Sequence, residues 1–204
     1  MEKKYVILTL IVILIIIYIS NNLSFFNSNN NKKEINLKVY KIASALGHNY
    51  INNINKVNKI NKGAVMFDID DTLLYVKDNN LVPIKPMIEL LNYCIKKDLL
   101  IIIITARDQK YKNYTIDDLN NNGINYSFLY LRKSPEDDNE YFKSKIKEQL
   151  YHDYGIKILM SIGDQYIDII GPKSGYGLKL PSKTNKKLYE TSPDGSKLIE
   201  VKLN

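Results

Sequence analysis

The sequence predicts an α/β fold, Rossmann-like, with a mainly parallel sheet and helices on both faces. Three observations predict it. Apolar runs recur at residues 64–67, 99–104, 127–131 and 156–162, and continuous runs of this kind mark strands buried on both sides. The stretches between them place apolar residues three or four apart, the period of a helix packed on a sheet. Strands alternating with helices imply right-handed crossovers, which bring the carboxyl ends of the strands to one edge.

The chain has 204 residues, enough for one domain with a full core plus appendages. A net charge of +7 fits anionic partners such as phosphate esters, nucleic acid or an acidic membrane surface. The abundance of Lys, Asn, Ile and Tyr reflects an AT-rich coding bias, which weakens that inference. No basic stripe interleaved with aromatics points to a specific nucleic-acid partner. The one cysteine, Cys94, excludes an intramolecular disulfide and reads as a small core side chain. His48 and His152 lie in no ligand-spaced motif and read as structural or exposed.

Residues 1–20 read as a signal-anchor transmembrane segment. Tyr5 to Ile19 is an unbroken run of Ile, Leu, Val, Tyr and one Thr, apolar on every face. No clear cleavage site follows, so an uncleaved anchor is expected, with secretion after cleavage as the alternative. Lys3 and Lys4 stay cytoplasmic under the positive-inside rule, which sends the remainder to the lumenal or extracytoplasmic side of a single-pass protein. Residues 21–33 are an Asn-rich tether. Residues 34–190 form the domain, and 191–204 a tail with a turn at 192–196 between short extended pieces.

Within the domain, Leu37, Val39, Ile42, Leu46, Tyr50, Ile54, Val57 and Ile60 space as one or two amphipathic helices, with Gly47 a candidate break. A strand at 64–67 ends at Asp68. Residues 73–76 and a turn-prone 77–80 follow, too short an insertion for a large cap. Pro83 and Pro86 lead into a helix over 87–97, and the strand at 99–104 ends at Thr105. Thr115 and Asp118 suggest a helix start and Gly123 its stop. After the strand at 127–131, Ser134 and Pro135 suggest the cap and first position of the next helix. Phe142, Ile146 and Leu150 are its expected inner face. Lys143, Lys145 and Lys147 fit that phase less well, and one of them is expected at the sheet end. The strand at 156–162 ends at Gly163-Asp164, with Asp168 four residues on, and 178–181 suggests a short last strand.

The candidate site follows from this order. Asp68, Asp70 and Asp71 put three carboxylates within four positions directly after a buried strand. Buried acids are costly unless a cation or a reaction needs them. Two such groups suit attack on an electrophile with proton transfer, or a hard oxygen site for Mg²⁺. Taken alone, the stretch reads equally well as an acidic turn. Asp68, Thr105 and Asp164 each follow a buried strand, so they converge on the edge where open α/β sheets bind ligands. That convergence favours an active site.

Taken together, these residues resemble the haloacid dehalogenase (HAD) superfamily of phosphotransferases. The likeness rests on Asp68-x-Asp70-x-Thr72, on Thr105, on a lysine, and on Gly163-Asp164-x-x-x-Asp168. Within the superfamily the chain is most similar to the class B-type acid phosphatase group, with the plant acid phosphatases and vegetative storage proteins (subfamily IIIB). That narrower likeness rests on Phe67 to Leu73, Thr105-x-Arg107, Phe142-Lys143-Ser144, Gly163 to Asp168, Gly171 and Leu178 to Pro181. It covers roughly 34–190. Ala106 departs from the commoner Gly of Thr-Gly-Arg, and the short loop after Asp71 implies a small cap.

The resemblance implies a HAD fold and a Mg²⁺-dependent hydrolysis of phosphate monoesters. Asp68 would be the nucleophile and Asp70 the general acid and base. Thr105 and Lys143 would hold phosphoryl oxygens, with Arg107 contacting either substrate or a surface acid such as Asp108 or Glu136. The metal set is Asp68, Asp70 through its main-chain carbonyl, and Asp164. Asp168 orients the metal shell or Lys143. Lys145 is the alternative to Lys143. Tyr75 and Tyr114 either border the pocket or pack as aromatics. Two other readings stand beside hydrolysis: phosphoryl transfer to an acceptor other than water, and a catalytically silent, membrane-tethered storage or interaction protein. Some storage proteins of the group lack the nucleophile, and this chain keeps it.

Overall fold

The computed structural model describes residues 37–54, 63–77, 79–192 and 195–203. The expected anchor, the tether and the helical pattern over 55–62 lie outside the described residues. Among the described residues no helix is long and apolar enough to cross a membrane.

A first helix, α1, spans residues 37–54. It is followed by β1 (Gly63–Phe67), β2 (Leu74–Lys77), β3 (Asn80–Pro83), α2 (Lys85–Lys96) and β4 (Leu100–Asp108). A 3₁₀ turn at Gln109–Tyr111 leads into α3 (Lys112–Asn121). Then come β5 (Phe128–Arg132), α4 (Asn139–Tyr154), β6 (Lys157–Gly163), α5 (Tyr166–Ile169), β7 (Tyr176–Lys179), β8 (Tyr189–Thr191) and β9 (Leu198–Glu200). The described residues from Val39 onward cluster as one compact unit.

Seven strands form one sheet in the order β5-β4-β1-β6-β7-β8-β9. The first five are mutually parallel, and β8 and β9 add antiparallel at one edge. The central strand β1 is buried along its whole length. Strand side chains alternate between faces, and two apolar layers follow from that. Val65, Phe67, Ile101 and Ile103 join residues of α1 and α2 on one side. Ala64, Met66, Ile102 and Ile104 meet Leu150, Phe142 and Ile146 of α4 on the other. Helices therefore cover both faces, as expected of a parallel sheet. Between β1 and α2 the chain forms an antiparallel hairpin, β2–β3, rather than a larger insertion.

Several local expectations need correction. Gly47 does not break α1; a Cβ there would come within 2.6 Å of Leu90, so the glycine admits the close approach of α2. Helix α3 begins at Lys112 rather than near Thr115, because the Asp108 side chain accepts from Lys110 N and sets the preceding turn. Thr115 is a buried position inside the helix. Helix α4 is capped by Asp138, which accepts from Tyr141 N at 2.7 Å. Ser134 and Pro135 instead belong to a turn closed by Asp137 N donating to Ser134 O at 3.1 Å. Proline's fixed φ suits the second position of a turn as well as a helix start.

Candidate active site

The site lies where β1 and β6 end. Phe67 pairs with Ile162, and Asp68 N still donates to Ile162 O at 3.0 Å, so the ladder holds the Asp68 backbone to its neighbour. Beyond it the chain turns sharply: the amides of Leu73 and Leu74 both donate to Ile69 O, and Asp71 takes a left-handed φ of 53°. That region is disfavoured for a residue with a Cβ, and the Tyr40 hydroxyl supports it by donating to Asp71 O at 3.0 Å. β6 delivers Asp164 at the matching level. α5, one turn of helix, delivers Asp168 in a capping box with Gln165.

Oxygens of Asp68, Asp164 and Asp168 all lie within 4.8 Å of one another, and all three residues are buried. Lys143 reaches in from α4, donating to Asp68 Oδ1 at 2.9 Å and also to Asp168. The other Asp168 oxygen accepts from Gln165 N at 3.0 Å. Among the described residues, no donor reaches the Asp164 carboxylate. Gly163 makes the arrangement possible: a Cβ on it would overlap the Asp168 side chain.

One ammonium thus serves two of three buried carboxylates, and the cluster is short of positive charge. Burial pushes Asp68 up to about 7, with Lys143 opposing and Asp168 reinforcing the rise. Burial likewise pushes Asp164 up to about 6, helped by the charges of Asp168 and Asp71. Burial alone would lower Lys143, yet Asp68 and Asp168 together hold it above the usual lysine range. The converging carboxylates, above all that of Asp164, suit a hard divalent cation, so the residues present fit a metal.

Asp70 lies outside this cluster. Its carboxylate takes two bonds from Arg107, Nε at 2.9 Å and Nη2 at 2.7 Å, while Arg107 Nη1 reaches Asp118 at 2.7 Å. A register shift in β4 between Thr105 and Asp108 accompanies this placement of Arg107, as bulges near sites commonly re-aim side chains. The partners are neither Asp108 nor Glu136. Thr105 is buried within β4, which runs on to Asp108 rather than ending at Thr105 as expected, and it accepts from Arg107 N at 3.3 Å. Lys145 is exposed and lies over the Tyr141 ring. Tyr114 is exposed, and Tyr75 packs against the larger apolar layer. A cavity of about 520 Å³ between β5 and α4 contains none of the site carboxylates among its lining residues.

Two further lysines are buried beside the site: Lys147, which the sequence offers as one of three lysines out of phase, and Lys179, which it does not single out. Lys147 is fully buried and donates to Asp168 O at 2.7 Å, Ile170 O at 3.1 Å and Ser174 Oγ at 2.9 Å. Burial pushes it down to about 7 against the pull of Asp168. Lys179, at the end of β7, is also buried and donates to Leu180 O at 2.9 Å, with its Nζ near the neighbouring Tyr166 and Tyr189 rings. Burial lowers it, with Asp164 opposing. The available signal for Lys147 was its spacing: it falls one helical turn after Lys143.

Comparison with known proteins gives the family and the fold. The family described as HAD superfamily, subfamily IIIB (acid phosphatase), matches residues 75–188. Asp68 to Thr72 precede that span. No curated protein sequence matches the chain. Among solved structures, the class C acid phosphatase from Bacillus anthracis aligns with a TM-score of 0.52 at 19% identity, covering 67% of this chain and 65% of its own. The same acid phosphatase with tungstate bound gives 0.53 at 18% identity, with the same coverage of 67% and 65%. A structure of the Pnkp1/Rnl/Hen1 complex gives 0.52 at 15%, covering 61% of this chain and 47% of its own. At these identities the likeness is one of fold, and the chain spans less than two thirds of the length of each.

Proposed function

The chain belongs to the HAD superfamily, subfamily IIIB (acid phosphatase), and from that premise we propose that it hydrolyses phosphate monoesters through a covalent aspartyl-phosphate with the help of Mg²⁺. The observation that carries this reading is the buried cluster of Asp68, Asp164 and Asp168 with Lys143 set between two of them.

Asp68 attacks phosphorus: an oxygen–phosphorus bond forms on its carboxylate as the ester bond breaks. Asp70 gives a proton to the departing alkoxide, then removes one from the water that cleaves the aspartyl-phosphate. Arg107 is placed to orient Asp70 between these steps. Lys143 and Thr105 bind the phosphoryl oxygens, where charge builds in the transition state. Asp168 holds Lys143 in position. Asp68, Asp164 and the Asp70 main-chain carbonyl would hold the metal. When bound, the ion would offset repulsion between the anionic nucleophile and the anionic phosphate.

The test is hydrolysis of an aryl phosphate by the purified chain, with and without Mg²⁺. Activity is expected to need the metal and to vanish in Asp68→Asn and Asp70→Asn; rates untouched by either substitution eliminate the mechanism. Adding alcohols separates hydrolysis from transfer to another acceptor, since transfer yields new phosphate esters. Metal binding without any phosphate release supports the silent storage or interaction reading instead. The apolar run Tyr5 to Ile19 further supports a membrane anchor with the domain on the extracytoplasmic side. Resistance of the domain to protease added outside intact cells counts against that orientation.

A further inference from the structure

We propose that Lys147 is a positioning residue for the phosphate-binding lysine: by fastening the backbone of 168–174, it holds the Asp168 carboxylate where that carboxylate grips Lys143. This rests on the reading of Asp68 and Lys143 given above.

Lys143 and Lys147 are one turn apart on α4 and share a face. Both are buried, whereas Lys145 between them is exposed. Lys147 Nζ lies within donating distance of three acceptors: the Asp168 carbonyl, the Ile170 carbonyl and the Ser174 hydroxyl. Ser174 in turn donates to Ile170 O at 2.7 Å, so its oxygen is itself fixed. All three acceptors belong to one short segment. That segment begins in α5, whose four residues are far too few for a helix to persist on local propensity. Carbonyls at a helix end have no partner within the helix, and Lys147 supplies one from outside. Asp168 is therefore held twice by α4, through its carbonyl by Lys147 and through its carboxylate by Lys143. Lys143 then meets Asp68. A buried lysine amine is a costly choice for packing alone, whereas it suits a need to fix the aspartate's backbone.

The test uses the full chain and an aryl phosphate. Asp68→Asn is measured first: loss of turnover upholds the site, and wild-type turnover overturns the site reading whatever Lys147 does. Lys147→Met then keeps the side-chain length and removes all three donors. The expected result is a fall in kcat/KM of about tenfold to a hundredfold, with a similar rise in the inhibition constant for inorganic phosphate. Circular dichroism verifies folding at the assay temperature. A lower melting temperature with both kinetic constants at wild-type values overturns the proposal. If Lys147→Met does not fold, Ser174→Ala removes one acceptor. A shift of about threefold in the same two constants supports the proposal, and unchanged constants overturn it.

Discussion

Lys143 Nζ lies 2.9 Å from Asp68 Oδ1 and binds Asp168 at the same time, so the proposed nucleophile and the acid beside it share a single buried cation. From this follow both the charge deficit of the cluster and the sensitivity of the site to small changes.

Lys143→Met leaves two buried carboxylates without their common partner. Breaking a buried pair in this way costs about 3–5 kcal/mol, which urea unfolding measures as a lower midpoint. Loss of a transition-state contact costs about a hundredfold to a thousandfold in rate. Steady-state kinetics on an aryl phosphate should show that fall in kcat/KM, and a variant at wild-type kcat/KM removes Lys143 from the chemistry.

Stability should depend on pH in a definite direction. Asp68 and Asp164 are raised to about 7 and about 6 in the fold, from roughly 4 in an unfolded chain. Between about pH 4 and pH 7 the folded protein therefore keeps protons that the unfolded chain has released. The contribution of these groups to stability is largest at the acid end of that window and is lost as pH rises through it. A divalent cation needs the ionised carboxylates, so its effect runs the other way. Thermal melts in EDTA and in Mg²⁺ should show a metal-induced increment that grows from about pH 4.5 to about pH 7.5. An increment independent of pH argues against these residues as the metal site.

Arg107 joins Asp70 to Asp118 at the margin of the site, with the Asp70 side chain 55% exposed. Pairs so open to solvent contribute at most about 1 kcal/mol to folding. Arg107→Ala removes two such pairs and should therefore change the unfolding free energy by no more than about 2 kcal/mol while lowering kcat/KM about tenfold through loss of Asp70 orientation. A rise in kcat/KM would instead make the ion pair a restraint that holds Asp70 back.

Gly163→Ala adds one carbon where the Asp168 side chain already sits. Overpacking of this kind costs about 1–3 kcal/mol, and displacing Asp168 frees Lys143. We expect lower melting temperature together with a loss of at least about tenfold in kcat/KM; full activity at reduced stability would separate Asp168 from the mechanism.

Much of this architecture can be read from the chain. The strands next to Asp68, Thr105 and Asp164 declare themselves because a strand buried on both faces needs a long apolar run; β1 and β6 stop just before their aspartates, whereas β4 runs on through Thr105 to Asp108, beyond the expected end. Helix starts were harder. Pro135 serves a turn as well as a helix, and only the cap geometry of Asp138 decides between them. The burial of Lys143 and Lys147 was also obscured. Phe142 and Ile146, the expected inner face, are only half-buried, while the lysines one position further on go in completely. Hydrophobic periodicity ranks a lysine as outward, and here tertiary pairing with acids and carbonyls outweighs that preference. Nor does spacing foretell that the Asp70 carboxylate turns to Arg107, which in the fold accompanies a register shift in β4.

The parallel pairing of β1 with β6 sets Gly63 opposite Lys157. Contacts between residues about ninety positions apart form late, since a long loop must close before any gain is realised. Asp68 is made early in synthesis and waits for Asp164 and Asp168 to emerge. The proposed turnover therefore requires β6 to be docked against β1, so appearance of activity during refolding would report this long-range pairing.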